Sequence, residues 1–284
     1  MNAAAGNSRI FQKIGGGMTA AFYAVFLFLF TFLTLGVLFS NIGYSYNRLL
    51  LFTFVFLFAA ASSVLFRIIR THAETLVKYE RLILLLVLPL LFLIQMYLGF
   101  RLRFASAFDF ASVYRGAIQW AETGTFSDYY EYYHYFPNNL GAMTLLFLVF
   151  KAAGLFGITD YFMLGVLLNA VMISLTVLTA YAAAKKLAGA SGGAVCLFFF
   201  VTAPPFYILA AAFYTDSLSM LFPVLFYNVY LRLKQERRED QNRRRLLFVA
   251  MLVVITLGAM IKFTVMIMAV AVILDLVLSG RLRQ

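Results

Sequence analysis

Long runs of apolar residues that follow one another along the chain constrain this fold more than any other feature of the sequence. About 20 residues at helical rise cross the hydrocarbon core of a bilayer, so runs near this length predict transmembrane helices. Of the 284 residues, 63% are hydrophobic, whereas a soluble domain is nearer half apolar. We therefore expect an all-α polytopic membrane protein in which residues 1–284 form a single transmembrane domain.

The apolar runs predict about eight transmembrane helices. They cover residues 18–40, 49–66, 82–100, 161–183, 192–213, 217–231, 246–261 and 264–279. The domain thus divides into three spans over 18–100, a long loop with interfacial helices over 101–160, and five further spans over 161–284. The last two runs are joined almost without a loop, which predicts a tight hairpin with Lys262 at its tip.

The apolar segment 140–156 is short and is interrupted by Lys151, and the distribution of basic residues decides how it is interpreted. If this segment does not cross, 17 of the 23 lysine and arginine residues lie on one side of the membrane. Short loops this rich in basic residues stay in the cytoplasm. We therefore interpret 140–156 as an interfacial or re-entrant helix. Both termini are then expected to be cytoplasmic and residues 101–160 external, in a multi-pass protein of the cell membrane.

The charge and the cysteine content exclude several classes of function. The net charge of +11 comes from short clusters between apolar runs, which orient a membrane protein, so we expect no nucleic-acid partner. The cluster over 234–245 is interpreted as a topology anchor that also attracts anionic membrane lipids. The single cysteine, Cys196, and the separated histidines, His72 and His134, form no metal or redox motif.

The external loop holds the candidate site. In its first part Tyr114, Ala117 and Ile118 recur at helical spacing, which favours an amphipathic helix over about 108–122 that ends at Gly124. Its second part contains five tyrosines, which indicate either an interfacial aromatic belt or a wall that binds a sugar or a lipid headgroup. Pro137 ends regular structure, and Asn138 and Asn139 then offer amide donors and acceptors.

Two aspartates on the same predicted face are candidates for chemistry. Asp109 follows the third span and is interpreted either as a helix N-cap or as a catalytic base. Asp216 precedes the sixth span and is either an N-cap or part of a substrate site, and a divalent metal ion at these carboxylates is an open alternative. Lys262 is either a snorkelling lysine or a cation for a phosphate group. Further candidate cations are Arg101, Arg103 and Arg115.

The order of motifs along the chain is distinctive. Asp109, Tyr114, Ala117 and Gly124 are spaced as D-x4-Y-x2-A-x6-G. Next come a turn that contains Pro137 and, after a span, the basic pair Lys185–Lys186. The following span contains the proline pair Pro204–Pro205, and the TD motif Thr215–Asp216 comes after it. Over roughly residues 80–280 this order resembles the membrane glycosyltransferases of the GT-C fold. Within them it is most similar to family 39, the protein mannosyltransferase and aminoarabinose-transferase-like group, and the FPNNLG stretch resembles versions from Gram-positive bacteria.

The resemblance implies a glycosyltransferase that depends on polyprenyl-phosphate sugars. Such enzymes take a sugar from a polyprenyl-phosphate carrier at the external membrane face and pass it to a lipid, glycan or protein acceptor. By this resemblance Asp109 is the catalytic base or positions the acceptor, Asp216 is a second polar residue of the cavity, and Lys262 is the basic residue near the lipid phosphate. The expected substrate-binding residues also include Tyr114, Arg115, Pro137, Asn138 and Asn139.

The length of the chain and the rival functions add further expectations. Members of family 39 usually run longer, so the resemblance also implies an N-terminal fragment or half of a split system, which a partner protein completes. The residues alone leave open a transporter or flippase and a non-catalytic partner subunit. The ionisable residues cluster near one membrane face, and the sequence shows no convincing internal repeat. Both features favour chemistry at the membrane surface over transport across the membrane.

Overall fold

The computed structural model describes residues 2–39, 47–103, 106–236 and 240–278. This part of the chain is 90% helical and has no strand, which confirms the all-α fold class. Helices suit these runs because each helix satisfies its backbone N–H and C=O groups within one segment. The α-helices are α1 (Asn2–Phe39), α2 (Arg48–Thr71), α3 (Ala73–Arg101), α4 (Phe108–Thr123), α5 (Tyr130–Tyr135), α6 (Leu140–Gly154), α7 (Tyr161–Thr202), α8 (Pro205–Ile208), α9 (Thr215–Ser219), α10 (Leu221–Gln235), α11 (Gln241–Ile261) and α12 (Ile267–Leu278). Short 3-10 helices occupy Ser127–Tyr129, Pro137–Asn139, Leu209–Ala211 and Phe263–Met266.

Several helices of the described chain could cross a membrane, as expected of a multi-pass membrane protein. Five segments are long and apolar enough: Gly16–Gly36, Arg48–Thr71, Thr75–Arg101, Tyr161–Thr202 and Gln241–Ile261. A sixth is obtained if one bent helix pair counts as a single broken span. This pair is Pro205–Ala211 and Thr215–Gln235, and the chain bends by 115° between the two helices. The predicted eight spans are therefore not confirmed.

Several helices end at other positions than the apolar runs that predicted the spans. The loop expected over 67–81 is helical in the structure, because α2 continues to Thr71 and α3 begins at Ala73. The last predicted span contains α12, which has 12 residues and is shorter than a membrane crossing. The helices extend into basic segments because lysine and arginine have good helix propensity, so a charged sequence does not by itself end a helix.

The chain reverses within α7 at Gly189. This residue has a φ of +68°, a conformation that glycine adopts without steric cost. Beyond the turn, an ideal Cβ on Gly193 would lie 2.9 Å from the ring of Tyr181, and Asn169 donates a hydrogen bond to the carbonyl of Leu209. The two arms of α7 therefore run antiparallel.

The chain divides into two compact units. The first consists of Met1–Ile68 together with Val270–Gln284, and the second is Ile69–Ala269. The first unit contains α1 and most of α2, whose described apolar side chains are largely exposed. Exposed apolar surfaces of this kind suit helices that face lipid tails. The second unit contains α3 to α11 and carries every candidate site residue.

Two apolar clusters stabilise the second unit. Where α3 packs against α7, the buried residues are Leu91, Ile173, Val177, Tyr181 and Leu197. These helices approach closely at Gly99, where an added methyl group would overlap the side chain of Val166. The other cluster joins α4 and α6 to the first arm of α7, with Val113, Met143, Leu146, Phe150, Val166 and Phe213 fully buried.

Polar contacts distinguish the two ends of the second unit. At the end that we call the Lys185 end, Lys185 pairs with Glu80, and Lys186 donates a hydrogen bond to Asn228. The opposite end, which we call the Asp109 end, holds the segment between α3 and α7, the turn before α9 and the turn after α11. The candidate site residues all lie at the Asp109 end.

Gln95 and Asn169 are polar side chains in the interior of the second unit, and both are fully buried. Asn169 Nδ2 donates to the carbonyls of Leu209 and Ala210 at 2.6 and 3.3 Å. These carbonyls lie in the short 3-10 helix after α8, where the Leu209 carbonyl also accepts a hydrogen bond from the Ala212 N–H at 3.0 Å. Gln95 Nε2 and Oε1 have no hydrogen-bond partner among the described residues.

Replacing Gln95 with Leu is expected to raise the melting temperature in detergent. The change removes a buried amide without hydrogen bonds, and such an unmatched group costs about 1–3 kcal/mol. Asn169→Leu is the matched control and is expected to lower the melting temperature, because it removes the two hydrogen bonds from Asn169 to the carbonyls of Leu209 and Ala210. A Gln95→Leu protein that melts below the unaltered chain would contradict this description of the interior.

Candidate functional site

The first turn of α4 places Asp109 at the Asp109 end of the second unit. α4 is followed by Gly124, which has a φ of +80°, so the helix predicted over about 108–122 and its end at Gly124 are confirmed. The N-cap of α4 is Ala107, so the N-cap interpretation of Asp109 is wrong. A carboxylate in the first turn is nevertheless favoured by the helix dipole. Asp109 is exposed and therefore accessible to a ligand.

Asp109 lies near the hydroxyls of two tyrosines, Tyr132 and Tyr214, which come from other parts of the chain. The Tyr132 hydroxyl accepts a hydrogen bond from Asn139 Nδ2 at 2.6 Å, and the Asp109 carboxylate lies close enough to raise the pKa of Tyr132. Tyr214, from the turn before α9, is within reach of both Tyr132 and Asn139. Asn139 is 3% exposed, so a buried amide supports this group of hydroxyls.

The environment keeps both tyrosine hydroxyls protonated. Burial raises the pKa of Tyr132, the hydrogen bond from Asn139 opposes that rise, and the hydrogen bond with Asp109 adds to it. Burial also raises the pKa of Tyr214, and the negative charge of Asp109 is the second cause. A protonated Tyr132 can donate to the Asp109 carboxylate, whose other lone pairs then remain for a substrate hydroxyl.

Asp216 and Lys262, which are 46 positions apart in the sequence, form an ion pair. The N-cap of α9 is Tyr214, so Asp216 lies in the first turn of that helix and its N-cap interpretation is wrong. Lys262 directly follows α11 in an extended conformation. The Lys262 side chain is 28% exposed and that of Asp216 is 66% exposed, so the ammonium is sheltered while the carboxylate is open.

The Asp109 group and the ion pair form one cluster. Tyr214 contributes to the group around Asp109 and lies two residues before Asp216. Phe110, the neighbour of Asp109 in α4, packs edge-on against Phe213 with 4.9 Å between ring centroids, which holds the start of α4 against this turn. We call the set the loop-end cluster, and its members are Asp109, Tyr132, Asn139, Tyr214, Asp216 and Lys262.

Four of the predicted substrate-binding residues are not members of the loop-end cluster, and two of these, Tyr114 and Arg115, make their contacts elsewhere. The ring of Tyr114 packs edge-on against Phe150 and Phe213, with 6.0 and 5.3 Å between ring centroids, and thus belongs to the apolar core. Arg115 is exposed and its Nη2 lies 3.5 Å from the carbonyl oxygen of Ser106. Tyr114 therefore supports α4 from behind, and Arg115 points toward the start of its own helix.

The other two, Pro137 and Asn138, contribute by shaping the turn that presents Asn139. Pro137 begins the 3-10 helix Pro137–Asn139, a position where the missing N–H of proline costs nothing. Asn138 Nδ2 donates to Asn139 Oδ1 at 3.1 Å, which fixes the amide so that Asn139 Nδ2 faces Tyr132. Both residues are exposed, and their contacts in the chain are structural.

Arg103, one of the candidate cations, pairs with Asp160 at 2.5 and 2.7 Å. Asp160 also caps α7 by accepting a hydrogen bond from the N–H of Met163 at 3.2 Å. Burial opposes the charged form of Asp160, but the hydrogen bonds from Arg103 and Met163 outweigh it, so the pKa of Asp160 lies below its ordinary value. Arg103 therefore fastens the end of α3 to the start of α7.

The ligand set around Asp216 does not fit a divalent metal ion. Within the described ranges, no group of three or more His, Cys, Asp or Glu side chains comes together. Hard cations such as Mg²⁺ and Ca²⁺ require several oxygen ligands. The Asp216 carboxylate pairs instead with the Lys262 ammonium, whose positive charge would repel a metal ion.

Sequence reasoning did not single out Tyr132 and Tyr214. Tyr132 is one of five tyrosines in a short stretch, and nothing in their spacing identifies which of them reaches Asp109. Tyr214 directly precedes the TD motif, and this adjacency is the one signal that could have identified it. Tyr214 lies more than 70 positions from Tyr132 and Asn139 in the sequence, and contacts over such a separation leave no local pattern.

No family model, curated protein or solved structure matches this chain. A functional proposal therefore depends on the residues of the loop-end cluster and on their chemistry.

Proposed function

We propose that this chain is a membrane glycosyltransferase that moves a sugar from a polyprenyl-phosphate-linked donor to a lipid, glycan or protein acceptor. The observation that carries the proposal is the presence of an open carboxylate, Asp109, and a sheltered ammonium, Lys262, in one cluster. Such a transfer needs a base for the acceptor hydroxyl and a positive charge for the departing phosphate. The resemblance to family 39 of the GT-C glycosyltransferases agrees with these roles.

The proposed reaction is an inverting displacement at the anomeric carbon of the sugar. The acceptor hydroxyl lies beside Asp109, and the Asp109 carboxylate takes its proton as the acceptor oxygen bonds to the anomeric carbon. The bond between that carbon and the phosphate oxygen breaks, and its electron pair leaves with the polyprenyl phosphate. Lys262 stabilises the negative charge that develops on this phosphate.

The remaining members of the cluster act as positioning residues in this proposal. Tyr132, held by Asn139, hydrogen-bonds the Asp109 carboxylate and restricts its orientation. Asp216 holds the Lys262 ammonium in place before the donor arrives, since the two side chains are paired. The donor phosphate then shares or replaces Asp216 as the partner of Lys262. Preorganised charge of this kind lowers the cost of reorganisation during the reaction.

The proposal places the Asp109 end outside the cell membrane, with both termini in the cytoplasm. The opposite end carries Lys185, Lys186, Arg232, Arg243, Arg244 and Arg245 in the described ranges. Basic residues next to membrane spans concentrate on the cytoplasmic side. An external loop-end cluster also suits a donor whose sugar is exposed at the outer surface.

Replacing Lys262 with Gln is expected to raise the KM for the polyprenyl-phosphate sugar by about 10- to 100-fold, because hydrogen bonds to charged groups contribute about 1.5–3 kcal/mol. Initial rates at increasing donor concentration measure the effect. Lys151→Gln is the matched control, since Lys151 donates to the Ala121 carbonyl at 3.0 Å rather than to the cluster. An unchanged KM for Lys262→Gln would remove Lys262 from the donor site.

A transporter or lipid flippase is the second candidate function, and one observation favours it. Pro205–Ala211 and Thr215–Gln235 form a helix pair bent by 115°, and broken helices mark many transport sites. Proteoliposomes that contain the chain and a labelled polyprenyl-phosphate sugar separate the two functions. A glycosyltransferase leaves the label covalently attached to an acceptor, whereas a flippase changes the leaflet that holds the intact donor.

A further inference from the structure

An open cleft of about 470 Å³ lies between α10 and α11 at the Lys185 end, remote from the loop-end cluster. Its lining residues are Leu233, Gln241, Arg244, Arg245, Phe248 and Val249. The lining thus combines two guanidinium groups and an amide with three apolar side chains. None of these residues has a role in the proposed sugar transfer.

The lining residues of α11 are ordered along the helix by polarity. Arg244 and Arg245 lie in the first turn and a half of α11. Phe248 lies four residues after Arg244, and Val249 lies four residues after Arg245, so each apolar residue shares a helix face with one arginine. Phe248 and Val249 are 54% and 53% exposed, so the apolar half of the cleft is uncovered. Since α11 is long and apolar enough to span a membrane, its basic turn falls at headgroup level and its apolar turn faces the acyl chains.

Among the described residues, the nearby carboxylates leave the charge of this cleft largely uncompensated. The Glu236 carboxylate pairs with Arg243 Nε at 3.1 Å, and Arg243 is outside the lining. Asp240 accepts a hydrogen bond from the backbone N–H of Arg243 at 3.0 Å as the cap of α11. Arg244 donates to the backbone carbonyl of Glu236 at 3.4 Å, which does not neutralise its charge.

We propose that this cleft binds an anionic phospholipid. Arg244 and Arg245 hold the headgroup phosphate, because guanidinium groups match phosphate oxygens in geometry and charge. Gln241 hydrogen-bonds the polar headgroup, and one acyl chain lies along Leu233, Phe248 and Val249. Free phosphate does not fit equally well, since it would leave the apolar half of the cleft exposed.

The test uses the full chain in detergent and measures bound lipid by native mass spectrometry. The probes are phosphatidylglycerol, phosphatidylcholine and inorganic phosphate. Each arginine near an anionic lipid contributes about 1 kcal/mol to binding. The double variant Arg244→Gln/Arg245→Gln is therefore expected to bind phosphatidylglycerol roughly 25-fold more weakly. Arg243→Gln is the matched control and is expected to retain binding. Phe248→Ser is expected to weaken phosphatidylglycerol binding and to leave inorganic phosphate unaffected.

The outcomes separate a defined site from general attraction to charge. The proposal is supported if the unaltered chain and Arg243→Gln retain phosphatidylglycerol and the double variant loses it. Equal melting temperatures then show that both variants are folded. Equal losses in the double variant and in Arg243→Gln would overturn it in favour of nonspecific attraction. Competition by inorganic phosphate at the same concentration as the lipid would also overturn it, because the site would then recognise phosphate alone.

Discussion

Replacing Asp109 with Asn is expected to lower the rate of sugar transfer by about 100- to 10,000-fold, the usual contribution of a general base. Asparagine keeps the shape of the side chain and still accepts a hydrogen bond from Tyr132, but it cannot take a proton from the acceptor hydroxyl. The fall should therefore appear in kcat, while the KM for the donor changes little. Initial rates with labelled donor and saturating acceptor measure both constants.

Asp128→Asn is the matched control for this variant. Asp128 is an exposed aspartate of the same segment, and its Oδ1 accepts a hydrogen bond from Ser127 at 3.4 Å, away from the loop-end cluster. We expect Asp128→Asn to retain transfer close to that of the unaltered chain. Equal activity of Asp109→Asn and Asp128→Asn would remove Asp109 from the catalytic role.

Replacing Gly141 with Ala is expected to produce the largest loss of stability among single substitutions in α6. An ideal Cβ at Gly141 would overlap the carbonyl group of Met260 and lie 3.0 Å from the backbone nitrogen of Ile261. These are backbone atoms of α11, so no side-chain rotation relieves the overlap. Overpacking costs typically about 1–3 kcal/mol, and we expect the upper part of that range because helices must separate. Thermal melting in detergent measures the effect.

Gly154→Ala is the control, because it makes the same chemical change at the other end of the same helix. An ideal Cβ there meets no atom within 4 Å. The melting temperature of Gly154→Ala should therefore equal or slightly exceed that of the unaltered chain. Two variants with equal melting temperatures would contradict the close contact between α6 and α11, and with it the position of Lys262 beside Asp216.

Local sequence patterns predicted the parts of the site that depend on one helix. The spacing of Tyr114, Ala117 and Ile118 predicted α4, and a glycine with φ near +80° follows it at the predicted position. The same spacing also explains why Tyr114 is not a site residue. Ala117 on that face is fully buried, so the pattern that forms the helix turns Tyr114 toward the core.

Topology accounts for the pairing that the sequence could only suggest. Asp216 and Lys262 were expected on one face because each adjoins a predicted turn, and the structure pairs them. Neither the Arg103–Asp160 pair nor the position of Tyr132 beside Asp109 could be predicted, because those contacts depend on how the segment between α3 and α7 folds. Helix ends were also missed where basic residues continue a helix instead of ending it.

Transfer of a labelled sugar tests the central claim most directly. Membranes that contain the chain are incubated with a panel of labelled polyprenyl-phosphate sugars, beside membranes that contain the Asp109→Asn variant at equal abundance. We predict that label from at least one donor becomes covalently attached to a lipid, glycan or protein acceptor with the unaltered chain only. Absence of transfer from every donor, with both proteins folded and abundant, would contradict the claim and favour a flippase or a non-catalytic partner subunit.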